Sequence, residues 1–170
     1  MKNQNLCLIL FLGIILQSCW PTTGPMDDDF VQAESRYEPV VMDRSVFEKS
    51  VVLANSLSIG TSGKIYIKDN LLFINEVKKG FHIYDNSDPS SPKAIRFLAA
   101  PGSTDLAIRN DMVYINQARD LIAVEYDGAK NSISLTKRIP DTFPEMLSPD
   151  GFFPFDLPEN SVVVDWKLKD

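Results

Sequence analysis

The sequence predicts an all-β protein of antiparallel four-stranded sheets in β-propeller-like repeats, with two clear units and an incomplete ring. Three observations carry this. Short runs of β-branched and aromatic residues alternate with Asn, Asp, Ser, Gly and Pro clusters, the pattern of strands joined by turns. The segment Ile65 to Asn75 recurs as Leu106 to Asn116 at a constant offset of 41. Each copy of that repeat has room for four short strands, which at this period is the signature of a propeller blade. Hydrophobic residues make up 44% of the chain, enough to supply a core for such sheets.

Taken in order, the chain opens with an address. Lys2 and the terminal amine form a short positive region, and Leu6 to Leu16 is uninterruptedly apolar. That run is too short to cross roughly 30 Å of hydrocarbon, which takes about 20 helical residues. Leu16-Gln17-Ser18-Cys19 follows and resembles the lipobox of bacterial lipoproteins, with an aliphatic residue three before the Cys and a small residue just before it. The resemblance implies diacylglyceryl transfer to the Cys19 thiol, cleavage after Ser18 and acylation of the new amine. Residues 1–18 are then a lipoprotein signal peptide, and Cys19 is the lipidation site. Two or more acyl chains, at about 0.8 kcal/mol per buried CH₂, hold a protein on a membrane where one does not. On this reading Cys7 leaves with the signal and Cys19 carries lipid, so no disulfide remains to the fold, although the compartment is oxidising. The implied location is the bacterial cell envelope, on the outer membrane, facing periplasm or surface.

Residues 19–43 read as a flexible tether. They contain Pro21, Gly24, Pro25, Pro39 and the acidic run Asp27-Asp28-Asp29, with few apolar residues. Trp20, beside the lipid, suits the membrane interface. The acidic run reads as a solvated spacer, with a surface-export mark as the alternative.

Residues 44–170 read as the β-propeller-like domain. A strand, a basic residue, an Asx turn (Asp69-Asn70 or Asn110-Asp111), an apolar strand and a closing Asn recur in register. After loops that differ by one residue, Phe81 to Asp85 and Leu121 to Glu125 align at an offset of 40. Lys93 to Ala100 and Ser132 to Ile139 supply the fourth strands. Beyond Ile139, Pro140, Pro144, Pro149, Pro154 and Pro158 interleave with Phe143, Phe152, Phe153 and Phe155. Proline bars central strands, so this stretch reads as coil packed by its phenylalanines, followed by one strand, Ser161 to Lys167. Ser50 to Asp170 holds about three units at this period, short of the roughly four to eight blades of a closed propeller. The two sheets are expected to pack face to face, with the remaining edges or faces covered by the coil, by another chain or by self-association.

The chemistry of the sequence excludes more than it selects. Against 17 Lys and Arg stand 23 Asp and Glu, a net charge of −6. This opposes nucleic-acid binding, which needs a basic face. One His and two Cys argue against a His/Cys zinc site. His82 alternates with Phe81 and Ile83 and has no marked nucleophile beside it, so it reads as a structural or surface side chain. Asp85, Asn86 and Asp88 offer oxygens for Ca²⁺ but lack an EF-hand's glycine and distal acid; Asx turns account for them. Asn75 and Glu76, with the aligned Asn116 and Gln117, are polar strand ends. They cap turns or line a binding face. Phe152, Phe153 and Phe155 read as core before a platform for a sugar or partner. No catalytic residue, metal or cofactor is selected.

Met42 to Val51, Gly63 to Asn70, Phe73 to Glu76, Lys79 to Pro89 and Asp120 to Val124 together resemble bacterial lipoproteins of the LVIVD-repeat family. Val162-Val163-Val164-Asp165-Trp166 is similar to a segment that follows the early repeats in those proteins. Glu125-Tyr126-Asp127-Gly128 departs from the family's Asp-x-Ser-Asp-Pro turn, and longer relatives continue with further repeats. The resemblance implies a propeller-like envelope lipoprotein that acts as a binding or interaction module toward an envelope protein or glycan. The alternatives are an envelope hydrolase using a carboxylate pair, and a structural subunit completing another chain's propeller.

Overall fold

The computed structural model describes residues 34–170; the signal segment, Cys19 and the tether up to residue 33 lie outside them. The repeat forms the two sheets its register requires. In the first, β3 (Ser62–Lys68), β4 (Leu71–Glu76), β5 (Gly80–Asp85) and β6 (Lys93–Ala99) run antiparallel in sequence order, and β2 (Val52–Asn55) adds a fifth strand beside β6. In the second, β7 (Ser103–Arg109), β8 (Met112–Gln117), β9 (Asp120–Asp127) and β10 (Ser132–Ile139) repeat that order. The fold is all-β, with no closed ring among the described residues. The aligned turns work as their chemistry demands: Asp69 and Asn110 sit at φ 51° and 54°, positive values that Asx residues tolerate.

The two sheets pack against each other through one core. Phe73, Phe81, Ile83 and Leu98 of the first meet Leu106, Val113, Ile115, Ile122 and Val124 of the second. The backbone binds the sheets at one end. The β4–β5 turn donates from Lys78 N to Ser103 O (3.0 Å), and the β6–β7 connector donates from Gly102 N to Lys78 O (2.8 Å) and from Ala100 N to Lys79 O (2.9 Å). Gly80 makes this approach possible. At φ +148° it lies where a Cβ would stand 2.1 Å from Leu98 O, so only glycine fits.

Three features depart from the sequence reading. Residues 37–43, expected as the end of the tether, form β1 (Tyr37–Asp43), which pairs with β11 (Ser161–Leu168) as a two-stranded ribbon. Pro39 suggested a linker, yet in a ribbon every strand is an edge, where a missing N–H is tolerated. Val40 and Met42 pack on Phe47, Val162 and Val164. The folded domain therefore begins before Arg44. Between β1 and β2 lies a helix, α1 (Arg44–Lys49), where only strands were expected. Asp43 starts it by accepting from Ser45 N (2.8 Å) and Val46 N (3.3 Å), and Ser50 closes it on Phe47 O.

The coil from Pro140 to Asn160 is the third departure. Phe143 and Phe152 are half-buried, but Phe153 and Phe155 are 69% and 72% exposed. Polar bonds hold the coil instead of phenylalanine packing. Asp150 accepts from Ser148 Oγ (2.6 Å), Ser35 Oγ (2.8 Å) and Arg36 N (2.8 Å), and the Trp166 indole donates to Met146 O (3.1 Å).

Candidate functional site

Strand alternation places each polar strand end, and the fold turns most of them inward. Asn75 is buried and donates from Nδ2 to Gly80 O across its own hairpin (3.2 Å), which is turn capping. Glu76 is 4% exposed and accepts from Gly60 N (2.9 Å), Thr61 N (2.8 Å) and His82 Nε2 (3.1 Å). The Thr61 bond, the Gly60 bond and His82 hold its carboxyl down at about 2 against the pull of burial. Gln117 is fully buried, accepting from Arg138 (2.9 Å) and donating to Ser50 Oγ (3.3 Å). Asn116 alone keeps a buried, unbonded Oδ1. The four do not assemble into one open binding face. His82, 2% exposed, lies against the Phe97 ring (4.9 Å between centroids) and serves the fold. Asp85 and Asp88 cap Ser87 and Ser90, the Asx turns expected of them.

One buried charge cluster was not visible in the sequence. Asp120, with no exposed surface, opens β9 and receives both Arg44 guanidinium nitrogens (3.0 and 2.7 Å) and Arg138 (2.7 Å). Both guanidinium groups lie over the Phe47 ring, at 5.6 and 5.1 Å. Burial pushes the Asp120 carboxyl up, and the Arg44 and Arg138 bonds outweigh it, leaving the group below the ordinary carboxylate range. Both Asp120 oxygens are bonded inside the chain, so the cluster clamps α1 to the second sheet. The three residues come from separate elements, and no spacing rule links them.

The fold leaves a polar hollow of about 470 Å³ between Arg109, Asn110, Asp111 and Glu125, and besides it several open surfaces that are apolar. On the first sheet, the face turned away from the core presents Ile65 (61% exposed) and Ile67 (67%), with Leu72 and Ile74 beside them. On the second, the outward face carries Ala107, Tyr114, Leu121 and Ala123, and Phe143 rims a hollow of about 300 Å³ over it. A third opening, about 260 Å³, lies on the ribbon between Tyr37, Pro39, Trp166, Phe153 and Phe155.

No family model matches the chain. Neither the curated proteins nor the solved structures gave a match.

Proposed function

We propose that this protein is a lipid-anchored envelope lipoprotein, held through Cys19, whose β-sheet domain is a binding and interaction module. The observation that carries the module reading is the pair of open apolar sheet faces, above all Ile65 and Ile67. Large aliphatic side chains left in water at adjacent same-face positions mark a surface that another protein covers. The exposed Phe153 and Phe155 beside the ribbon hollow add a second apolar surface suited to an envelope protein or glycan. The anchor rests on Leu16-Gln17-Ser18-Cys19 and on the resemblance to LVIVD-repeat lipoproteins. Since both outer faces belong to blade-like sheets, a structural role inside a larger propeller is the second reading that the same surfaces favour.

Two measurements test this. Metabolic labelling with palmitate should mark the wild-type chain and leave Cys19→Ser unlabelled; equal labelling would remove the anchor. Crosslinking in intact cells followed by mass spectrometry should recover protein neighbours at the open faces. Recovery of lipids and abundant bystanders alone would overturn the module.

A further inference from the structure

We infer that the two open faces are the two halves of a single interface, and that a second copy of this chain covers each. This rests on the interaction reading and names its partner. The internal contact joins two different faces: Tyr66, Phe73, Phe81 and Ile83 of the first sheet against Leu106, Val113, Ile115 and Ile122 of the second. Moved along by the repeat, 41 residues in the first two strands and 40 in the third, Tyr66, Phe73, Phe81 and Ile83 become Ala107, Tyr114, Leu121 and Ala123. Those residues form the open face of the second sheet. Moved back by the same steps, Leu106, Val113 and Ile115 become Ile65, Leu72 and Ile74 on the outward face of the first sheet, while Ile122 becomes His82, which lies on that face but is already buried within the chain. One further step of the chain's own packing therefore lays the second sheet of one copy onto the first sheet of the next.

Charge agrees with this step. Lys64 and Asp105 occupy equivalent positions with opposite signs, and they pair across the internal contact, with Tyr66 also donating to Asp105. Repeating the step sets Asp105 of one copy toward Lys64 of the next, so the charges alternate around the assembly. The backbone keeps the geometry too. Phe143 N donates to Arg119 O (2.9 Å), as Ala100 N does to Lys79 O where the chain leaves the first sheet for the second. The coil that runs on from there returns as β11 to pair with β1. The contact joins unlike faces, so it closes into a ring when its rotation allows. With two sheets per copy, a propeller of about four to eight blades takes two to four copies.

The test uses the full chain, extracted from membranes in mild detergent, with a photoreactive amino acid at position 67 and an equimolar isotope-labelled partner population. Native mass spectrometry should find two to four copies, and crosslinks should join position 67 of one copy to the segment 107–123 of another. Ile67→Glu and Leu121→Glu should each weaken association about tenfold or more, as expected for a charge placed in a buried contact. Ile67 is mostly exposed in the single chain, so its variant keeps the wild-type circular dichroism, which separates lost assembly from lost folding. Crosslinks joining position 67 to position 67, or joining it to a different envelope protein while the chain stays monomeric, would overturn the second-copy inference and leave the interaction reading standing. A monomer without any crosslinked protein would overturn both.

Discussion

Replacing Glu76 by Gln tests whether this buried carboxylate fastens the 60–61 loop to the first sheet. The carboxylate holds Gly60 N and Thr61 N at 2.9 and 2.8 Å, with His82 at 3.1 Å. A glutamine keeps the shape but offers only one acceptor oxygen, so one of the two backbone N–H bonds is lost and the other weakens. Bonds to charged groups contribute about 1.5–3 kcal/mol each, which sets the loss near 3 kcal/mol. The carboxyl's displacement gives a comparable figure. Held at about 2 against an ordinary 4.5, it represents about 3 kcal/mol favouring the ionised folded state. Because the folded value is depressed, this stability is present above the unfolded value and is lost as pH falls from about 4.5 toward 2. Urea unfolding of wild type and Glu76→Gln across this range should show a gap near 3 kcal/mol at neutral pH that closes with acid. A gap that stays constant with pH would refute the assignment, because the variant would then be acting through packing and not through charge.

Three further changes probe other joints. Asp120→Asn removes the negative charge that Arg44 and Arg138 share, and denaturant unfolding should register a loss of about 3–5 kcal/mol. Gly80→Ala forces a Cβ onto Leu98 O, so folding should fail or the thermal midpoint should fall by about 10 °C or more. Phe155→Ser, at a side chain 72% exposed, should change unfolding free energy by no more than about 0.5 kcal/mol while weakening any ligand of the ribbon hollow.

The repeat was legible because strands of one sheet are neighbours in sequence. The alternation of Phe81 and Ile83 with His82, and the Asx turns at Asp69 and Asn110, are local signals. The β1–β11 ribbon was hidden because its partners, such as Met42 and Val162, lie far apart in the chain, and Pro39 misdirected the reading. Helix α1 has six residues and a single buried side chain, Phe47, too little for a periodic pattern. The Asp120 clamp draws on α1, β9 and β10, and the Glu76 anchor draws on a loop with no side-chain signal at all.

The candidate surfaces were less legible than the fold for a different physical reason. Ile65 and Ile67 show the same alternation as their equivalents Leu106 and Ile108, and nothing in the repeat tells the two pairs apart. Leu106 is 5% exposed and Ile65 is 61%. Periodicity reports which face of a strand is apolar; it does not report whether the covering layer comes from the same chain. A hydrophobic face gains from burial whichever molecule supplies the cover. The repeat that made the fold readable therefore made the surface look like interior, and only the three-dimensional arrangement separates a face already covered from one that a neighbour must cover.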